Sequence, residues 1–196
     1  MKPIMGYKRS DGQYGIRNKI LVIATVGCAN ETARRITEQV KGTVFIPAGK
    51  GCGQIGDAVE ITKRTLTGFV LNPNVYGAVF VGLGCETIQP HEMAARVQQV
   101  SDKPVYSFSI QEEGGTTKTI ATMVPLLEKL VVAADQLVRE PIELSMLTLA
   151  TNCGGSDATS GLSVNPALGV VTELLVAAGG RSILGETTEL IGTEHI

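Results

Sequence analysis

Lys19-Ile20-Leu21-Val22-Ile23-Ala24-Thr25-Val26 is apolar and β-branched almost throughout, and it breaks at Gly27-Cys28. A strand with one wet face alternates apolar and polar residues, so an unbroken run predicts a strand buried on both faces. Ala29 to Val40 follows with a helical pattern, and Asn30 is its expected cap. This strand–turn–helix unit recurs down the chain. Thr43 to Pro47 is a second short strand, and Asp57 and Glu60 can open the next helix as a capping box. That helix stops at Asn72-Pro73. Gly77 to Val81 is the third strand, and Pro90 opens a helix running through Val100. Val105 to Ile110 is the fourth strand. A helical segment over about Thr117 to Arg139 contains Pro125, which should kink or split it. Leu144 to Ala150 is the fifth strand, and Asn165-Pro166 marks a helix start. Gly179-Gly180 stops that helix, and Arg181 to Leu184 is the sixth strand. Alternation of this kind predicts an α/β fold: a doubly wound, mostly parallel, Rossmann-like sheet with helices on both faces. The expected organisation is a polar lead-in over 1–18 and a single α/β domain over 19–196.

The 196 residues are 43% hydrophobic and only 4% aromatic, with a formal net charge of −2. No basic stripe points to nucleic acid. No apolar run approaches the ~18 residues a membrane helix needs, and the N-terminus lacks the apolar core of a signal peptide. A cytoplasmic protein is expected. Its four cysteines are then thiols or metal ligands rather than disulfides.

Cys28, Cys52, Cys85 and Cys153 each follow an expected strand, directly or by a short loop, and precede a helix. In a parallel sheet such loops share one edge, where open α/β folds bind ligands. Three readings stand open: small buried hydrophobes, ligands to iron or an iron–sulfur cluster, or a thiolate acting on substrate. The spacing is not the tight Cys-x-x-Cys of a strongly signalled cluster. The loop from Thr151 to Asn165 is long, polar and Gly-rich, as the floor of a site would be. Gly114-Gly115-Thr116-Thr117-Lys118 at a helix start suits an anion such as a carboxylate. Arg9 and Arg17 either hold a carboxylate or belong to a solvated lead-in. Gly51-Cys52-Gly53-Gln54-Ile55-Gly56 fits Gly-x-Gly-x-x-Gly, but it follows the second strand, and Asp57 sets a negative charge where a pyrophosphate would sit. His91 reads as a surface residue. Glu186 and His195, in a tail that also holds Glu189 and Glu194, could reach the cysteine edge.

Taken in order, these residues carry a resemblance. They are Gly6-Tyr7, Arg9, Asp11-Gly12, Gly15 and Arg17-Asn18; Cys28; Gly51-Cys52-Gly53; and Gly82-Leu83-Gly84-Cys85-Glu86. Gly114-Gly115-Thr116, Lys118-Thr119, Cys153-Gly154-Gly155-Ser156-Asp157, Asn165-Pro166-Ala167-Leu168-Gly169, Glu186 and Glu194-His195 complete the set. The chain resembles the altronate dehydratase/galactarate dehydratase family, which includes the large subunit of sulfolactate sulfo-lyase. Where the family carries a histidine shortly before Gly-Cys-Gly, this chain has Ala48.

The resemblance implies a hydro-lyase acting on a sugar acid such as altronate or galactarate. It abstracts the proton next to the carboxylate and expels the β-hydroxyl, with a divalent metal such as Fe²⁺ stabilising the dianion. An iron–sulfur cluster is the alternative cofactor, and a sulfo-lyase or a non-catalytic binding domain the alternative function. On this resemblance Cys28, Cys52, Cys85 and Cys153 are the expected metal ligands. Glu86 and His195 are the expected catalytic groups. Arg17, Gly115, Thr116, Lys118, Asn152, Gly154, Ser156 and Asp157 are expected at the substrate. The chain matches the first half of the family's catalytic part. Its expected partners are the remainder of that part and a small N-terminal domain or subunit, and a homo-oligomer stays open.

Overall fold

Ile20, Val22 and Ala24 are buried against one layer of helices, while Leu21 and Ile23, lying between them, are buried against another. The run is therefore covered on both faces, as its lack of alternation requires. The computed structural model describes residues 3–49, 51–186, 190–193 and 195. Lys50, Glu189 and Glu194 lie outside the described residues. The expected single domain over 19–196 meets a chain that divides into two compact units, Gly6–Glu140 and Met1–Met5 with Pro141–Ile196.

In the larger unit the lead-in is structured. β1 (Ile4–Lys8) pairs antiparallel with β2 (Tyr14–Gly15). Asp11 accepts the Gln13 amide inside the turn, at 2.9 Å. Arg9 Nε donates to the Pro73 carbonyl at 2.7 Å, and the Ile16 and Arg17 amides donate to Asn74 Oδ1 at 2.8 and 3.0 Å. Gly15 lies so close to Pro73 that a Cβ there would be 2.0 Å from the carbonyl oxygen.

The units that follow are β3 (Lys19–Ala24) with α1 (Asn30–Gln39), β4 (Thr43–Ile46) with α2 (Asp57–Leu71), β5 (Val75–Gly82) with α3 (Pro90–Gln98), and β6 (Val105–Ser109) with α4 (Thr116–Asp135). The strands form one parallel sheet in the order β4-β3-β5-β6. Ala33 and Ile36 of α1 and Met123, Leu127 and Leu130 of α4 cover one face. Leu66 and Val70 of α2 and Met93 and Val97 of α3 cover the other. Burying each such side chain contributes roughly 1.5–3 kcal/mol. Pro125 does not split α4. Met123 and Leu127 hold the helix to the same core on both sides of the proline, and that packing outweighs one lost backbone hydrogen bond. Asn30 is not a cap; its side-chain amide exchanges two 2.9 Å hydrogen bonds with the Ala48 backbone. Gly56, at φ +58°, starts α2 in place of the expected Asp57 cap.

In the smaller unit, after β7 (Glu140–Ile142), β8 (Thr148–Thr151) pairs in parallel with β9 (Arg181–Leu184), and α5 (Asn165–Ala177) joins them. These strands form a sheet of their own instead of extending the larger one. Both are partly exposed along their length, unlike β3 and β5. The helical path begins before Asn165. Asp157 Oδ1 accepts from the Thr159 amide and hydroxyl at 2.8 and 2.6 Å, while Ser160 Oγ accepts the Asp157 amide at 3.1 Å. That reciprocal cap starts a turn that widens to a π-helix over Ser160–Val164 before α5. Asn165-Pro166 opens α5 as expected, but Asn165 is not a cap, because the chain enters it already helical from the π-turn. By length and composition Ser160–Ala177 is apolar enough to cross a membrane. Ser160, Ser163, Asn165, Thr172 and Glu173 interrupt it, so reading for an unbroken run passes it over.

The strand order reverses direction between β3 and β5, and Glu86 sits there, 3% exposed. Its carboxylate accepts from Thr25 Oγ1 at 2.9 Å, the Leu83 amide at 3.1 Å and the Gly84 amide at 2.7 Å. Gly82 leaves the room, since a Cβ there would be 2.0 Å from Glu86 Oε1. Glu86→Gln puts an NH2 group against donors, and Glu86→Ala leaves both amides unsatisfied, while the Thr25 hydroxyl can turn to the Val81 carbonyl at 3.3 Å. We expect losses of about 1–3 kcal/mol for Gln and more for Ala. A urea midpoint that does not move in either variant would show that these bonds are not holding the loops.

Candidate functional site

The carboxyl ends of β8 and β9 open into a cleft of about 600 Å³, within the range of small-molecule sites. Asn152, Cys153, Gly154 and Gly155 supply its floor, Ser160, Gly161 and Asn165 its π-turn wall, and Gly185 and Glu186 the opposite side. Parallel pairing brings these loops to one edge, and Gly185 fastens them by donating its amide to the Thr151 carbonyl at 2.9 Å. Gly185 must be glycine, because a Cβ would be 2.8 Å from that same oxygen. Gly154, Gly155 and Gly161 have nothing within 4 Å of a Cβ. A side chain at any of them would take up open space at the cleft.

Cys153 lies at the centre of the polar contacts. Its Sγ is 2.6 Å from Ser156 Oγ, and its amide donates to Glu186 Oε2 at 3.3 Å. Glu186 has φ +59° and is the one non-glycine residue with positive φ among the described residues. A non-glycine residue there is strained by roughly 1–3 kcal/mol, and such strain clusters at functional sites. Asp157 is held below the usual carboxylate range, first by the Thr159 hydroxyl and then by the Thr159 amide. Its oxygen is engaged in the helix cap. His195 is exposed and is not among the residues lining the cleft.

In the larger unit, Cys28, Cys52 and Cys85 lie on three loops at the carboxyl edge of the four-stranded sheet. Those loops are knitted together. Gly51, at φ +120°, lies where a Cβ would be 2.4 Å from the Thr25 carbonyl oxygen, and the Thr87 amide donates to the Gly51 carbonyl at 3.4 Å. Gly115, Thr116 and Lys118 sit at the same edge, at the start of α4, with Thr116 Oγ1 3.4 Å from Thr32 Oγ1. Arg17 precedes β3 and so lies at the opposite edge, where Arg9 Nη2 donates to its carbonyl at 3.0 Å. It is not brought to these loops. Asp57 and Glu60 both occupy the first turn of α2. The Gly51–Gly56 run therefore presents negative charge where a dinucleotide needs bare amides.

All four cysteines are free and exposed, which removes the reading as small buried hydrophobes. Among the described residues no three His, Cys, Asp or Glu side chains converge to hold a metal ion. The cleft offers one thiol, Cys153, and two carboxylates, Glu186 and Asp157, the second engaged by Thr159 in the helix cap. These three do not converge, so the described residues do not by themselves fit the divalent metal that the resemblance implies. Ser160 and Gly161 are lining residues that the sequence reading omits, while Glu186, read there as able to reach the cysteine edge, does line the cleft beside Cys153. Glu186 has a sequence signal, an acid directly after Gly at the end of a parallel strand. The π-turn has none.

Residues 6–135 match the family described as D-galactarate dehydratase/altronate hydrolase, second domain, and residues 144–196 match D-galactarate/altronate dehydratase, C-terminal. The altronate dehydratase of Bacillus subtilis is 35% identical over 97% of this chain and 40% of its own length. The (2R)-sulfolactate sulfo-lyase subunit beta of Chromohalobacter salexigens is 35% identical over 100% of this chain and 49% of its own length. The galactarate dehydratase (L-threo-forming) of Escherichia coli is 30% identical over 97% and 40%. The chain thus spans less than half the length of these curated relatives. With both of its units matched in order, the chain belongs to the D-galactarate/altronate dehydratase family.

Proposed function

We propose that this chain forms part of a cytoplasmic hydro-lyase that removes water from a sugar acid, altronate or galactarate being the model substrates. The observation that carries the reading is Glu186 held in a strained backbone beside Cys153 and the open Gly154-Gly155 floor. A C–H next to a carboxylate is weakly acidic, and its removal needs a placed base. Glu186 takes that proton. The amides of Gly154 and Gly155, with Asn152, bind the substrate carboxylate and hydroxyls. The hydrogen-bonded Cys153–Ser156 pair delivers a proton to the departing β-hydroxyl. Water leaves and an enol remains, which tautomerises to the 2-keto acid. The rest of the catalytic part and a small N-terminal domain or subunit are the partners this reading requires.

A second reading, elimination of sulfite from sulfolactate, rests on the 35% identity to the sulfo-lyase subunit across the whole chain. Assay of the full-length protein on altronate, galactarate and sulfolactate separates the two. A full-length protein inactive on all three would favour a non-catalytic role.

Two substitutions test the site in the full-length protein. Glu186→Gln should lower kcat by about 10²–10⁴-fold with little change in KM. Glu186→Gly should be as inactive yet more stable, by up to about 1 kcal/mol, because glycine adopts positive φ without strain. Full turnover by either variant would remove Glu186 from the chemistry. Gly154→Ala should raise KM and leave the thermal midpoint in place; an unaltered KM would move the substrate elsewhere.

The metal is tested on the chain itself, purified without oxygen and offered Fe²⁺. Four thiols should react freely, with neither stoichiometric iron nor acid-labile sulfide retained. Iron that stays bound and is lost on Cys153→Ser would restore the ligand role. Iron with sulfide would indicate a cluster.

A further inference from the structure

A further concavity, of about 240 Å³, lies in the larger unit at the carboxyl ends of β3 and β4, lined by Thr25, Ala48, Gly51, Gln54, Thr62 and Leu66 among others. Its walls are fixed. Asn30 clamps the Ala48 backbone with two hydrogen bonds, and Gly51 is seated against Thr25 and Val26 so closely that no side chain fits. One group in it is unmatched. Gln54 Nε2 donates to Thr62 Oγ1 at 3.1 Å, and that hydroxyl donates onward to the Ala58 carbonyl at 2.9 Å. The chain of donors fixes the amide, since flipping it would set Gln54 Oε1 against an oxygen whose hydrogen is already committed. Gln54 Oε1 is thereby buried without a partner among the described residues. A buried acceptor left unmatched is destabilising, so the pocket favours a ligand that brings a donor. Thr25 Oγ1 donates to Glu86 and keeps accepting capacity. None of the described lining residues carries a formal charge. Neither an ammonium nor a carboxylate finds a counter-charge in that lining, whereas a hydroxyl finds an acceptor.

We propose that this pocket binds a small neutral polyol, one hydroxyl of which donates to Gln54 Oε1. The site lies wholly within Gly6–Glu140 and does not depend on the reading of the Cys153 cleft.

The test is a titration of the ¹⁵N-labelled chain with meso-erythritol, following by NMR the backbone amides of Gly49, Gly51 and Thr62, which every variant keeps, together with the Gln54 side-chain amide in the unsubstituted chain. A saturable shift is expected, and Gln54→Met should weaken binding by about tenfold or more. Ala48→Leu, which fills the pocket and keeps Gln54, should abolish the shift; it decides the matter if Gln54→Met does not fold. The proposal is overturned by a response that stays linear, by undiminished binding in Ala48→Leu, or by saturable binding of acetate or ethylamine in preference to erythritol. No response to erythritol would mean that water alone serves the amide, and would also overturn it.

Discussion

Two loops of the larger unit meet at one buried carboxylate, and a third is pressed against them. A parallel sheet gathers the carboxyl ends of its strands at one edge, and the chain turns there leave amides pointing inward with no sheet partner. Glu86 supplies the acceptor for two of them and for the Thr25 hydroxyl. Thr25 is the first residue past β3, and Leu83 and Gly84 are the first past β5. One side chain therefore ties the ends of the two central strands. The positions of Cys28 and Cys85 follow from that tie, and Gly51, pressed against Thr25, carries Cys52 to the same edge.

The smaller unit uses a carboxylate in the opposite sense. Glu186 also follows a parallel strand through a glycine, but it is exposed, accepts one amide at 3.3 Å and holds a backbone conformation that L-residues avoid. A carboxylate with three close donors and almost no solvent contact is an architectural group, because moving it unsatisfies several partners at once. One with free lone pairs at the wall of a cleft can accept a proton from something else. This difference, and not sequence position, is what separates Glu86 from Glu186 as candidates for proton transfer.

Much of the larger unit was legible because its signals are local. The run over 19–26, the stop at Asn72-Pro73 and the start at Pro90 each depend on a few adjacent residues, and each appears where the sequence puts it. The lead-in over 1–18 was not legible. Its ribbon is held by Pro73 and Asn74, more than fifty residues away in sequence. Asn165-Pro166 marked the start of α5 but not how far back the helical path reaches, for a related reason. The true cap is the Asp157–Thr159–Ser160 arrangement upstream, and the π-turn carries the helix through the proline. In the candidate site, the loop over 151–165 was legible as a floor, while the choice between the two glutamates depended on burial.

The strand–glycine–cysteine repetition has an explanation that does not require one shared centre. Loops at the carboxyl edge of parallel strands are rich in glycine because the chain must turn close to neighbouring backbone, as at Gly51, Gly82 and Gly185. A small residue beside such a glycine is easily accommodated, and cysteine is one. What distinguishes a working thiol is its surroundings. Of the four, Cys153 has a side-chain hydrogen bond to a hydroxyl and lies in the larger cleft, with a carboxylate bound to its own amide. The three thiols of the larger unit share an edge and solvent exposure, but they do not combine into a metal-binding group among the described residues. The pattern that made the edge conspicuous in the sequence is thus largely a property of the turns. The chemistry we propose rests on the one cysteine whose neighbours can exchange protons with it.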